Sequence, residues 1–544
     1  MATITYSKRD LLNLIGKNLS DEQLKETIDQ IKPSVENISA DEVTIEHYAD
    51  RPDLFGIEGL ARAVRQYLGI QKKEKFEVKN SGLTVTAEKV DIRPFIACAV
   101  VKNVKLTDDL IKSLMNIQEV LHETFGRKRA RVAIGVHDYD EIVPPIKYVA
   151  ASPAERIIPL EREEEMSLKD VLINVEKGKD YGHIISRADK WPAFVDQKGI
   201  FSFPPIINSD RTKVSEKTKN LFIDMTGTNE KIVLQTMNIL VTNLAERGTK
   251  IEYVTVNYGN KKIVTPDLSK EKMIIGIKEA NDWIGINLSA EKMILLLQKM
   301  GHEAKKMKKE LEVLVPRYRT DILHAVDIYE DIAVGFGYMN LKSQLPKLPT
   351  KGGRDKKEIF SNNVRGVAVK LGLQEVLTGI MTNEKDQFDK MNLKREEVAE
   401  IENYVSGDYT IMRKWILPNL LKILSVNQHV VYPQQIFEVG DVIILDKKEE
   451  TQTKNVRKIS AAIANSKIRF QDIASVFDEL MNNLKIKYKL KERNHSSFIS
   501  GRCAAIISKN KEIGFIAEVK PEVLENWKME MPVAVFEISL ENLS

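Results

Sequence analysis

Cysteine is close to absent: Cys98 and Cys503 are the only two in 544 residues, and no CxxC spacing joins them. A thiolate zinc site is thereby excluded, and the usage suits a reducing, cytoplasmic compartment. Long apolar runs are missing as well. The longest plainly apolar stretch, FIACAVV from Phe95 to Val101, is far too short to cross a bilayer, and MATITYSKRDLLNLIG at the start lacks the apolar core of a signal peptide. No membrane partner is expected. An excess of one charge is also lacking, since 82 lysines and arginines face 78 aspartates and glutamates. The chain is therefore no polycation that holds nucleic acid by charge alone, and any RNA contact must be local. Nor does the sequence display a Ser-His-Asp or Cys-His arrangement, so hydrolysis would rest on a positioned water and the substrate's own reactivity.

What is present is enough chain for roughly three to five domains of about 100 to 200 residues each. The segment Arg317 to Tyr338, RYRTDILHAVDIYEDIAVGFGY, places Ile322, Ala325, Val326, Tyr329, Ile332, Ala333 and Phe336 at helical three-and-four spacing. Its acids, Asp321, Asp327, Glu330 and Asp331, fall off that stripe, with Asp321 expected in the first turn, where the helix dipole favours an anion. Clustered carboxylates repel unless a cation compensates them, and all-oxygen ligands suit Mg2+. A solvated acidic face is the alternative.

A second informative word is KGIFSFPPIINSDRTKVSEKTKNLFIDMTGTN, Lys198 to Asn229. Pro204 and Pro205 end a strand, Asn208 to Asp210 make a turn, and LFIDMTG alternates Leu221, Ile223 and Met225 against Phe222, Asp224 and Thr226. Asp224 and Thr226 thus share one face of an apolar strand, either as a cross-strand hydrogen-bonded pair or as part of a site. Upstream, GRKRARVAIGVHDYD sets Arg127, Lys128, Arg129 and Arg131 beside a strand, where they hold phosphates or line a solvated loop.

Around these words the chain reads as a strand ATITYS, helices over 8–15 and 20–31, a strand DEVTIEH, and a helix after Gly56. A charged linker, QKKEKFEVKNSG, follows. Two helices, with Ser289 capping the second, and the strand LEVLVP precede the acidic helix. After the linker LKSQLPKLPTKGGRD come a helix through Val364 and Leu371, a helix opened by Pro418, and QQIFEVGDVIIL as a strand pair.

VPRYRTDILHAVDIYEDIAVGFGY, RPDLFGIEGLARAVRQYLGI and the Lys198 to Asn229 word together resemble the beta subunits of phenylalanine-tRNA synthetases, in their archaeal and eukaryotic form. The resemblance spans nearly the whole chain. It implies a multidomain α+β protein: an N-terminal α+β module over 1–82, an editing α+β domain over 83–264, a winged-helix-like domain with the acidic helix over 265–345, and over 346–544 a class II synthetase-like antiparallel sheet domain without catalytic motifs. Where a class II site needs an arginine two residues before the motif glutamate, Ile436 precedes Glu438. The helices of the winged-helix-like domain are not notably basic, so no DNA partner is expected.

The same resemblance implies a catalytic alpha subunit as partner, in a tetramer of two alpha and two beta chains, with phenylalanine tRNA as the nucleic acid and ATP bound by the alpha subunit. It assigns Mg2+ to Asp321, Asp327, Glu330 and Asp331. It assigns hydrolysis of tyrosine misattached to the tRNA to the region of Asp224, with Thr226 and Ser202 supporting and Pro204, Pro205 and Asn208 shaping the wall. A non-catalytic RNA-binding or assembly scaffold derived from a synthetase is the alternative function.

Overall fold

Ser7 ends the strand Ala2–Ser7 and caps the helix Lys8–Ile15 by accepting from Asp10 N, while Ser20 and Gln23 form a reciprocal capping box on the helix Asp21–Gln30. Such caps satisfy the amide donors that a first helical turn leaves free. These elements pack with a three-stranded antiparallel sheet whose third strand, Ser34–Ile38, the sequence reading lacks; only Val35 of it is buried, so it carries no alternating pattern. The computed structural model describes residues 2–71, 76–346, 348–541 and 543. They fall into two units, Met1–Leu345 and Pro346–Ser544.

In the first unit a ten-stranded sheet runs in spatial order through Ile207–Asn208, Gly199–Phe203, Trp191–Asp196, Ile146–Ala151, Val78–Ala87, Lys250–Asn257, Phe95–Lys102, Asn220–Gly227 and Val132–Asp138, with Lys262–Thr265 paired to Lys250–Asn257. Alternation along Asn220–Gly227 decides what each face meets. Leu221, Ile223 and Met225 pack under the helices Asp108–Glu123 and Glu230–Ala245, whereas Phe222 joins Tyr148, Phe194 and Phe201 on the opposite face. Asp224 and Thr226 belong to that second face. The linker expected over 71–82 is strand from Val78 onward, and its residues 72–75 lie outside the described ones.

The strands Glu271–Gly276, Glu310–Val315 and Glu303–Lys306 form a small antiparallel sheet that packs with the helices Ile277–Ile284, Ala290–Lys299 and Ala325–Phe336. Ser289 caps the second of these helices as its sequence suggests. The second unit holds a seven-stranded sheet, antiparallel except where Gln374–Glu375 runs parallel to its neighbour. Here QQIFEVGDVIIL is one continuous strand, Gln434–Leu445, and not a strand pair. Gly440 within it serves close approach: a Cβ there would collide with the Arg413 guanidinium and crowd Glu438.

Within the N-terminal module, buried His47 places Nε2 2.8 Å from the Tyr6 hydroxyl. Burial lowers the His47 pKa to about 4. The unfolded chain then takes up a proton below about pH 6.5 that the folded chain refuses until near pH 4, so stability present above pH 6.5 is lost as pH falls through this window. Burial lowers the His302 pKa as well, which adds in the same direction. The urea midpoint is expected to fall from pH 7 to pH 4.5, with a shallower fall in His47→Gln. An equally steep fall in that variant would remove His47 from the account.

Candidate functional site

The register of Asn220–Gly227 sets Asp224 between Cys98 on one neighbouring strand and Gly135 on the other. Its side chain is buried, and Oδ2 lies 2.7 Å from His137 Nε2. His137 Nδ1 in turn lies 2.8 Å from Thr212 Oγ1. A buried chain Thr212–His137–Asp224 therefore exists where the sequence displayed no such arrangement. Gly135 makes it possible, because a Cβ at that position would run into Asp224 Oδ2. The His137 ring meets Phe201 edge-on at 5.1 Å, so the chain is walled by aromatic carbon.

Asp224 Oδ1 is the exception in this network: it is buried and accepts no hydrogen bond. An unsatisfied buried acceptor costs about 1–3 kcal/mol, more when charged, and a donor delivered to it recovers that cost. Thr226 shares the face but is already engaged, since its hydroxyl accepts from Arg93 Nε at 3.0 Å and its carbonyl from Arg93 Nη2 at 2.6 Å. Burial pushes the Arg93 pKa down to about 10. Ser202 is buried opposite Asn208 in the sheet register, with Oγ 3.5 Å from Asn208 Oδ1. Asn208 Nδ2 donates to Val136 O, which ties this wall to the strand that carries His137.

Of the basic group, Arg129 is buried. It bonds Glu119 at 2.8 Å and the carbonyls of Pro205 and Ile206 at 3.1 Å each, so it braces the wall, while Arg127 and Lys128 remain exposed.

The four acids of the Arg317 to Tyr338 segment are not gathered as a ligand set. The helix spans Ala325–Phe336, so Asp321 precedes it and does not occupy its first turn. Asp331 does not lie off the buried stripe: it is 1% exposed, with Oδ2 2.6 Å from His302 Nε2 and 2.7 Å from Arg319 Nη2. Arg319 also holds Asp321 through two bonds of 2.9 and 2.7 Å. Burial alone would raise the Asp321 and Asp331 carboxyls; the Arg319 guanidinium outweighs it and holds both below the usual carboxylate range. Asp327 Oδ2 accepts from the Leu323 and His324 amides, and Glu330 pairs with Lys32 at 3.1 Å.

Among the described residues, no three acidic, histidine or cysteine side chains assemble to hold a metal. In this arrangement the four do not fit Mg2+ as one ligand set: Arg319 compensates Asp321 and Asp331, backbone amides engage Asp327, and Lys32 pairs with Glu330. Asp327→Asn keeps an amide oxygen to accept from Leu323 and His324, so it is expected to cost less than about 1 kcal/mol and to leave the Mg2+ dependence of charging unchanged. A shifted Mg2+ titration in that variant would contradict this.

Residues 99–255 match the B3/4 domain, 273–338 the tRNA synthetase B5 domain, and 341–540 the phenylalanyl tRNA synthetase beta chain CLM domain. The class is thus that of the aminoacyl-tRNA synthetases. The phenylalanine-tRNA ligase beta subunit of Pyrococcus horikoshii is 40% identical over the full length of both chains, and that of Thermococcus onnurineus is 39% identical over 100% of this chain and 99% of its own. A crystal structure of an N-terminal fragment of the phenylalanyl-tRNA synthetase beta subunit from Pyrococcus horikoshii, 37% identical, covers 62% of this chain and 99% of its own with a TM-score of 0.60. The chain belongs to the phenylalanine-tRNA ligase beta subunit family.

Proposed function

We propose that this chain removes tyrosine from phenylalanine tRNA at Asp224 and works beside a catalytic alpha subunit, two copies of each forming the enzyme. The alpha subunit, with ATP and Mg2+, attaches phenylalanine to the tRNA in the cytoplasm. A pocket shaped for a phenyl ring cannot strongly reject one that merely adds a hydroxyl, and such discrimination stalls at roughly a hundredfold. A second pocket that rewards the hydroxyl corrects the error.

The unpartnered Oδ1 of Asp224 is the observation that carries this reading. A tyrosine phenol donates to it; a phenylalanine ring buries it unpaired and is disfavoured. His137, itself held by Thr212, holds the opposite carboxylate oxygen and fixes its direction. Water then attacks the ester carbonyl, the bond from the acyl carbon to the ribose oxygen breaks, and tyrosine and free tRNA leave. Ser202 and Asn208 offer the polar wall that positions this water, with Thr226 and Arg93 bracing the strand. Asp224 and Ser202 are each 1% exposed, so entry requires the wall around Ser202 to open.

In the second unit, Glu438 pairs with Arg413 at 2.8 Å, and Arg413 also donates to Thr378. An internal ion pair where a class II site would hold a phosphate supports an assembly role for this catalytic-like domain. Its exposed apolar side chains, among them Leu377, Met381, Val405 and Val431, suit a protein partner such as the alpha subunit. Among the described residues no helix is long and apolar enough to cross a membrane.

Release of tyrosine from tyrosyl-tRNA by the chain assembled with its alpha partner tests the proposal, with phenylalanyl-tRNA as control. Selective release is expected. No release, or equal release from both, would favour a scaffold without hydrolytic activity.

A further inference from the structure

On the sheet face opposite Asp224, the helix Glu230–Ala245 borders a cleft of about 450 Å3, within the range of small-ligand sites. Lys231, Gln235 and Asn238 line it from one face of that helix, at spacings of four and three residues. Asn238 is 7% exposed, and its Oδ1 is buried without a hydrogen bond. Among the described residues, Gln235 and Lys231 also have no side-chain partner. Arg317, which also lines the cleft, is neutralised by Glu271 at 3.1 Å, which leaves Lys231 as the unspent cation of the lining among the described residues. Val264 and Met273 supply apolar surface, and Asp267 supplies a carboxylate.

We propose that this cleft binds an adenine nucleotide, either free or as an unpaired adenosine of an RNA strand. A carboxamide presents a donor beside an acceptor, the complement of the N6 and N7 edge of adenine. Asn238 and Gln235 read that edge. Val264 and Met273 cover the face of the base, Asp267 accepts from the ribose hydroxyls, and Lys231 holds the phosphate. Bases of single-stranded RNA splay out to be read in this way, so both sources share one chemistry. The site lies across the sheet from Asp224 and does not depend on the editing reading.

Equilibrium binding of AMP, adenosine, GMP and a short oligoadenylate to the full chain tests this. AMP is expected to bind saturably and roughly tenfold or more tighter than GMP. Gln235→Leu and Asn238→Leu are each expected to weaken AMP by a similar factor, and Lys231→Ala to weaken AMP but not adenosine. Tighter binding of the oligoadenylate than of AMP assigns the site to RNA; binding of AMP with exclusion of the oligonucleotide assigns it to a free nucleotide. Thermal unfolding establishes that each variant is folded, and if Asn238→Leu is not, the half-exposed Gln235 and exposed Lys231 decide alone. The absence of saturable binding of AMP and oligoadenylate at millimolar concentration, equal binding of AMP and GMP, or AMP binding unchanged in Gln235→Leu and Lys231→Ala would each overturn the proposal.

Discussion

Asp224→Ala in the assembled ligase is expected to leave phenylalanine charging at its normal rate while hydrolysis of tyrosyl-tRNA falls roughly ten- to a hundredfold, the worth of a hydrogen bond to a charged acceptor. The variant removes the unpartnered Oδ1 and also strips His137 of the carboxylate 2.7 Å away. Two controls separate recognition from damage. Thermal unfolding reports whether the buried strand tolerates the change, and residual hydrolysis of phenylalanyl-tRNA reports the general reactivity of the site. If the intact site discriminates by the phenol, the variant should lose the preference for tyrosyl-tRNA and keep the slow background. Unchanged clearance of tyrosyl-tRNA would take Asp224 out of the site.

Arg319→Met is expected to destabilise the first unit by about 3–5 kcal/mol, because removing one partner of a buried ion network leaves its anions uncompensated. The Arg319 side chain is fully buried, as is that of Asp331, and among the described residues Arg319 alone bonds both Asp321 and Asp331. A second buried pair, Arg51 with Asp53, couples electrostatically to it from the N-terminal module. Lysine is no substitute, since a single ammonium cannot span two carboxylates as a planar guanidinium does. Adding Asp331→Leu to Arg319→Met should recover part of the loss, a non-additivity that denaturant unfolding of the single and double variants measures. A loss below about 1 kcal/mol in Arg319→Met would show that the network does not hold these elements together.

Strand Asn220–Gly227 was legible because period-two alternation is a local property, and the shared face of Asp224 and Thr226 follows from it directly. The site around it was not. His137 lies 87 positions from Asp224 and Thr212 lies 75 from His137, and no local pattern ties a lone histidine to a strand that distant. A trace existed in Gly135 and His137, which alternate onto one face of a neighbouring strand. Only the register shows that the glycine is there to admit a carboxylate.

The start of the acidic helix and the depth of Asp331 were misread for the complementary reason. Repulsion among carboxylates was weighed within the segment, yet Lys32, which pairs with Glu330, is 298 positions away, and nothing local reveals that Arg319 is buried deeply enough to take two acids. Pairing partners and depth are tertiary properties, and charge patterns are read correctly only once both are known.

Recognition of tyrosine rests on what meets Asp224 Oδ1. The most direct measurement is a crystal structure of the chain with a non-hydrolysable tyrosyl-adenosine analogue. The phenol oxygen is expected within hydrogen-bond distance of Asp224 Oδ1, with the acyl carbonyl facing Ser202 and Asn208. A tyrosyl ring seated away from the Asp224 strand, or a phenylalanyl analogue bound there as well as the tyrosyl one, would contradict the account.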